Sequence, residues 1–157
     1  MFCQEEMAWN EDRRLRWEDF KGNVPLGSSA AATTASGISY QFSTYYENDE
    51  LKLDYEVNSF FYPTKSWYKP QISNEIILAH EQLHFDITEV FTRKMRKELA
   101  QKQFTKNVKK EVRTIYKRIL KELNDYQNDY DKETDFSRNI EKQDAWVKKI
   151  KKILAQK

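Results

Sequence analysis

Cysteine is almost absent from the sequence, since Cys3 is the only one, and glycine and proline occur only three times each. A single cysteine excludes an internal disulfide framework. The chain also lacks any apolar run near the ~20 residues of a transmembrane helix, which argues against a membrane span. A formal net charge of +2 gives no bulk attraction to nucleic acid, so we expect no nucleic-acid partner.

The residues that are present give a globular composition. Hydrophobic residues make up 39% and aromatic residues 14% of the chain, which is typical of a folded rather than a disordered protein. A length of 157 residues suits one domain with a hydrophobic core and is short for two. We therefore predict a single domain over residues 1–157, whose oligomeric state the sequence leaves open.

The first part of the chain favours β structure. Residues 1–36 form a lead-in that contains two of the three glycines, and glycine marks turns more than helix interiors. Within residues 37–62, two segments rich in β-branched and aromatic residues, 37–46 and 51–62, flank the turn-like sequence ENDE. This pattern predicts an antiparallel β-hairpin.

Residues 73–157 favour helix. Apolar residues recur there at helical spacing, which predicts helices at about 74–100, 106–130 and 139–155. The predicted inward residues include Ile76, His80, His84 and Ile87 of the first helix, and Ile140, Val147, Ile150 and Leu154 of the third. Together, the hairpin and the helices predict an α+β fold.

The sequence LAHEQLHFD contains the only two histidines, His80 and His84, with Glu81 after the first. Residues four apart lie on one face of a helix, so both imidazoles can bind one metal ion. Glu81 lies roughly 100° round the helix, where its carboxylate can accept a proton from a water on the metal without being a ligand. This division of roles is the physical basis of the H-E-x-x-H motif of zinc metalloproteases.

A catalytic zinc site needs a third protein ligand, and no third histidine exists. Asp86 lies about 200° from His84 and Glu89 about 180° from His80 on a helix, so neither can join them. The acid-rich stretch NDYQNDYDKETD, at the end of the second predicted helix, is the best source of a carboxylate. Helix geometry leaves Asp131 and Glu133 as alternatives.

The sequence resembles the bacterial family catalogued as domain of unknown function 922, which is grouped with the zincin metallopeptidases. Three stretches carry the resemblance: LRWEDFKG near the start, HEQLHFD, and YDKET with a later QDAW. The resemblance implies a zincin-like fold, in which an antiparallel sheet packs on the HExxH helix and two further helices follow. It also implies a Zn²⁺ ion, with His80 and His84 as ligands and Glu81 as the base, and a periplasmic or secreted protein whose signal peptide has been trimmed.

Two details of the resemblance concern the third ligand. Asp131 matches the acid of the family's YDxxT pattern, which favours Asp131 over Glu133. After this pattern, relatives often have a histidine and a glycine, whereas this chain has Phe136 and Ser137.

A tyrosine hydroxyl near the metal could stabilise a developing oxyanion. We assign this catalytic role to Tyr130, with Tyr126 as the alternative.

These observations predict a zinc-dependent metallopeptidase that acts on a peptide or protein substrate. The alternative is a non-catalytic zinc-binding or peptide-binding domain of the cell envelope. Glu81 distinguishes the two, because a structural zinc site needs no base and is closed by four protein ligands. A third hypothesis is a basic interaction module formed by the lysine- and arginine-rich segment 93–121. We interpret that segment instead as the solvated face of amphipathic helices.

Overall fold

The computed structural model describes residues 4–157, so Cys3 lies outside the described part. Within residues 4–157, five β-strands precede three α-helices. The strands are β1 (Met7–Ala8), β2 (Ala32–Thr33), β3 (Ser36–Glu47), β4 (Glu50–Phe61) and β5 (Trp67–Tyr68). The helices are α1 (Glu75–Gln101), α2 (Val108–Glu133) and α3 (Ile140–Ala155). The predicted α+β class is confirmed.

The long hairpin of β3 and β4 is the main β feature. The two strands pair antiparallel from Ser36↔Phe61 to Glu47↔Glu50. Asn48 and Asp49 form the turn with φ angles of 50° and 62°. A two-residue hairpin turn of type I′ needs this left-handed backbone at both positions, and asparagine and aspartate tolerate it well. The structure confirms the predicted hairpin to within one residue at each strand end.

Short strands complete two antiparallel sheets. β1 pairs with the end of β4, which gives the sheet order β1-β4-β3. β2 pairs with β5 in a separate two-stranded sheet. Two-residue strands are too short to show the alternation of a strand, so the sequence pattern did not predict them.

The helices begin and end close to the predicted positions. The side chains of Asn74 and Asn139 cap α1 and α3 by accepting hydrogen bonds from the backbone N–H groups of Ile77 and Lys142. Helix α2 continues to Glu133, three residues beyond its predicted end at 130. This extension places Asp131 on the helix itself.

The main hydrophobic core lies between the hairpin and the three helices. Its most buried members include Ile38 and Val57 of the hairpin, Ile87 and Met95 of α1, Val112 and Ile119 of α2, and Ile150 of α3. The predictions for Ile76 and Ile140 are wrong, because each is 48% exposed. Both lie in the first turn of a helix. The apolar spacing extends into this turn, but the neighbouring elements leave the two side chains exposed to solvent.

The lead-in packs against α1 through a second cluster. Leu15 and Phe20 pack with Phe61 and Phe85. Asp86 accepts hydrogen bonds from the Trp9 indole at 2.8 Å and from Arg14, so it connects α1 to the lead-in.

Basic side chains of the segment 93–121 make several ion pairs on the helix surfaces. Arg93 pairs with Glu89, Lys94 with Glu122, and Arg118 with Glu98.

No helix within residues 4–157 combines the length and hydrophobicity needed to cross a membrane. The single domain over 1–157 stays a prediction.

Candidate metal centre

His80 and His84 lie on successive turns of α1 and face the same carboxylate oxygen. The Nε2 atom of His80 is 2.9 Å from Asp131 Oδ1, and the Nε2 atom of His84 is 2.8 Å from it. The two ring centroids are 4.9 Å apart, and the His80 side chain is almost fully buried. The one-turn spacing therefore brings both imidazoles to one point.

Asp131 reaches this point from the last turns of α2. One ligand atom from each of His80, His84 and Asp131 lies within 4.8 Å of the others, so the three can hold a metal ion. Two imidazoles and one carboxylate form the donor set of many catalytic zinc sites, so these residues fit a divalent cation. Glu133 is exposed and instead accepts a hydrogen bond from the Trp146 indole at 2.7 Å.

The charges around the three donors complement one another. Burial lowers the pKa of His84, but its hydrogen bond to Asp131 and the nearby charge of Glu81 outweigh burial and leave that pKa raised. Burial alone would raise the pKa of Asp131, whereas the contacts with both histidines hold it well below its usual range. Asp131 is therefore an ionised carboxylate, as a metal ligand must be.

Glu81 lies beside the three donors without belonging to them. Its side chain is buried, and its Oε2 atom accepts a hydrogen bond of 2.6 Å from the Thr34 hydroxyl. Glu81 and the three donor residues line the same cavity. The carboxylate is thus held next to the donor cluster by a residue of the lead-in.

The cavity has a volume of about 700 Å³ and opens to solvent. The segment from Ser29 to Thr34 and residues 136–138 also line it. Ile72 and Phe136 line it with exposed apolar side chains, which are 55% and 61% exposed. This volume lies within the range of about 300–1,000 Å³ that is typical of ligand-binding pockets.

The backbone beside Asp131 is strained. Asp135, Phe136 and Ser137 have φ angles of 47°, 51° and 80°, a left-handed conformation that costs about 1–2 kcal/mol for most non-glycine residues. Phe136 and Ser137 both line the cavity. The strained turn therefore forms part of the cavity wall.

Tyr130 is fully buried and stacks on His80 with ring centroids 4.5 Å apart. Its hydroxyl lies 3.1 Å from the backbone oxygen of His80 and 2.8 Å from Gln143 Oε1. Burial raises the pKa of Tyr130, so the phenol stays neutral. Tyr130 does not line the cavity described above, and its oxyanion role stays a prediction.

Three residues that contact the site were missed by the sequence argument. Thr34 bonds to Glu81, while Gln127 and Gln143 lie against the Nδ1 atoms of His84 and His80. Gln127 precedes Asp131 by four residues, so it shares a face of α2 with that acid. Gln143 also belongs to the QDAW stretch that carries the resemblance. Thr34 left no periodic pattern, because it contacts a distant element.

A comparison with protein families gives one match. A family model described as "Bacterial protein of unknown function (DUF922)" matches residues 65–138. This match supports the assignment of the chain to that family. The matched segment contains His80, Glu81, His84 and Asp131. No curated protein and no solved structure matches the chain.

Proposed function

We propose that the chain is a zinc-dependent metallopeptidase of zincin type that hydrolyses peptide bonds with an activated water. The observation that carries this proposal is the convergence of His80, His84 and Asp131 in an open cavity that Glu81 also lines. We also propose a periplasmic or secreted location, which the resemblance to the domain-of-unknown-function 922 family implies.

His80, His84 and Asp131 would hold the metal through Nε2, Nε2 and a carboxylate oxygen. A bound Zn²⁺ supplies a Lewis acid that makes water more acidic and polarises a carbonyl. Three protein ligands in a cavity leave room for substrate, whereas a structural zinc site is closed by four. This difference favours catalysis over the non-catalytic alternative.

Glu81 serves as the general base in this proposal. Its carboxylate takes a proton from the attacking water and later delivers it to the leaving amine. The Thr34 hydroxyl at 2.6 Å orients the carboxylate, and burial of Glu81 shields it from competing solvent.

The cavity contains a strand edge with which a peptide substrate can pair. In the described part of the chain, β2 pairs with β5 on one side only, and the residues of β2 line the cavity. An extended peptide can add to such an edge through main-chain hydrogen bonds. The exposed side chains of Ile72 and Phe136 favour apolar groups on the substrate.

The test is hydrolysis of a mixed peptide library, followed by mass spectrometry, with the zinc-loaded wild type and Glu81→Gln. Glutamine keeps the size of glutamate but cannot accept the proton of water. We expect Glu81→Gln to retain zinc and to lose roughly 10²–10⁴-fold in activity. Equal hydrolysis by the two proteins, or none by the zinc-loaded wild type, would contradict the proposal.

A further inference from the structure

We propose that Gln127 and Gln143 are positioning residues that orient the two histidines for metal binding. Each glutamine would hold one imidazole by its Nδ1–H group, which leaves the Nε2 lone pair directed at the metal. The inference rests on the metal site of the proposed function, and it assigns a role to two residues outside the ligand set.

Gln127 determines the proton position on His84. Its Nε2 atom lies 2.9 Å from the backbone oxygen of His84 and 3.2 Å from the Thr88 hydroxyl. A backbone oxygen only accepts hydrogen bonds, so the amide nitrogen must face it. The other amide atom, Oε1, therefore faces His84 Nδ1. Since Oε1 only accepts, Nδ1 carries a proton, which leaves Nε2, the nitrogen that faces Asp131, for a cation.

Gln143 makes the equivalent contact with His80. Its Oε1 atom lies 2.9 Å from His80 Nδ1 and 2.8 Å from the Tyr130 hydroxyl. Both neighbours can donate to this oxygen, which again places the imidazole proton on Nδ1. Gln143 is only 4% exposed, so these contacts are made away from solvent.

The two glutamines differ in how firmly their amides are held. Among residues 4–157, Gln143 Nε2 is the one buried side-chain nitrogen or oxygen that lacks a hydrogen-bond partner. If this amide turned over, its nitrogen would donate to Nδ1, and the proton of His80 would move to Nε2. His80 would then be unable to bind metal through Nε2. A bound cation favours the competent orientation, because it needs the Nε2 lone pair of His80.

The arrangement also explains how three helices build one site. Helix α1 supplies both histidines, α2 supplies Asp131 and Gln127, and α3 supplies Gln143. Hydrogen bonds to the second nitrogen of a ligand histidine fix its tautomer and ring orientation, and their loss typically lowers metal affinity 10- to 100-fold. Packing of α2 and α3 against α1 therefore sets the metal affinity.

The experiment measures zinc affinity by competition with a chromophoric chelator. Methionine is close to glutamine in shape but accepts no comparable hydrogen bond, so we expect Gln127→Met and Gln143→Met each to lower affinity about 10- to 100-fold. Gln143→Glu keeps the acceptor, and the replaced nitrogen has no partner. We expect Gln143→Glu to bind zinc within about threefold of wild type, which is less than the smallest loss expected for the methionine variants.

Gln82 provides a matched control on α1. It is buried like Gln143, but its amide bonds to the backbone of Leu15 and to Asp86. Gln82→Met should therefore lower the melting temperature without changing zinc affinity. This control separates the loss of any buried amide from the loss of a contact to a ligand histidine.

A second measurement reports the proton positions directly. The chain has two histidines, so a long-range ¹H–¹⁵N correlation spectrum shows only four ring nitrogens. We expect both imidazoles of the zinc-loaded wild type to carry slowly exchanging Nδ1 protons. The proton of His80 should exchange faster in Gln143→Met, and that of His84 in Gln127→Met.

The outcomes separate the inference from the proposed function. Unchanged zinc affinity in both methionine variants would overturn the inference while leaving the metal site intact. Equal losses of zinc affinity in Gln143→Met and Gln143→Glu would also overturn it. That result would mean that altered packing, and not the lost hydrogen-bond acceptor, lowers the affinity. If wild type binds no divalent cation, the proposed function and the inference both fail.

Discussion

The Thr34 hydroxyl donates a 2.6 Å hydrogen bond to the Glu81 carboxylate and thereby links the lead-in to the helix that carries both histidines. Hydrogen bonds to a charged group contribute about 1.5–3 kcal/mol, which corresponds to roughly tenfold or more in a rate. Thr34 therefore orients the residue to which we assign proton transfer.

Replacement of Thr34 by valine tests this link. Valine has nearly the same shape as threonine but lacks the hydroxyl, so Glu81 loses its donor and part of its orientation. We expect Thr34→Val to lower the turnover rate for peptides about tenfold or more, with unchanged zinc content. Thr44→Val, the same change on an exposed and distant part of β3, is the control. Equal rates in the two variants would show that the bond does not matter for turnover.

Much of the site on α1 could be derived from the sequence, because one helix fixes the relative directions of its own side chains. The period of the helix brought His80 and His84 to one face and turned Asp86 and Glu89 away. In the structure, Asp86 contacts Trp9 and Arg14, and Glu89 accepts from Ser59 and pairs with Arg93. Both acids hold neighbouring elements on the other sides of α1.

The rest of the site depends on packing between distant segments. Asp131 and Glu133 lie about 200° apart on α2, at the margins of its apolar face, so helical spacing alone left both open. The contact of α2 with α1 brings Asp131 to the histidines. Thr34 contacts Glu81 across 47 residues of sequence, and Gln143 contacts His80 across 63. Such pairs leave no local pattern in a single sequence.

A pair of amide substitutions separates the two acids of α2. Asp131→Asn removes the charge that complements a cation. Zinc affinity should therefore fall by at least the 10- to 100-fold that is typical when a residue hydrogen-bonded to a metal ligand is replaced. Glu133→Gln makes the same chemical change two residues away and still accepts from the Trp146 indole. Isothermal titration of both variants with zinc measures the difference. Weaker binding in Glu133→Gln than in Asp131→Asn would reverse the assignment of the third ligand.

Zinc should also stabilise the folded chain, because the donors converge only when α1 and α2 are packed together. Free zinc at about 100 times the dissociation constant adds ~2.7 kcal/mol to the free energy of unfolding. For a chain of this size, that corresponds to a rise in melting temperature of roughly 5–10 °C. Calorimetry of chelator-treated protein with and without added zinc provides the measurement. His84→Ala should lose most of the rise, and an equal rise in that variant would place the binding elsewhere.

Removal of the Tyr130 hydroxyl distinguishes two roles for that residue. The hydroxyl contacts Gln143 Oε1 and the backbone oxygen of His80, and the ring is fully buried. If it acts through Gln143, Tyr130→Phe loses a hydrogen bond with a net contribution of about 0.5–1.5 kcal/mol. Zinc affinity should then fall by up to about tenfold, and turnover at saturating zinc should change little. If Tyr130 instead stabilises an oxyanion, zinc affinity should stay constant while turnover falls about 10²–10³-fold. Affinity and turnover measured on the same preparation decide between the two, and the buried position of the hydroxyl leads us to expect the first result.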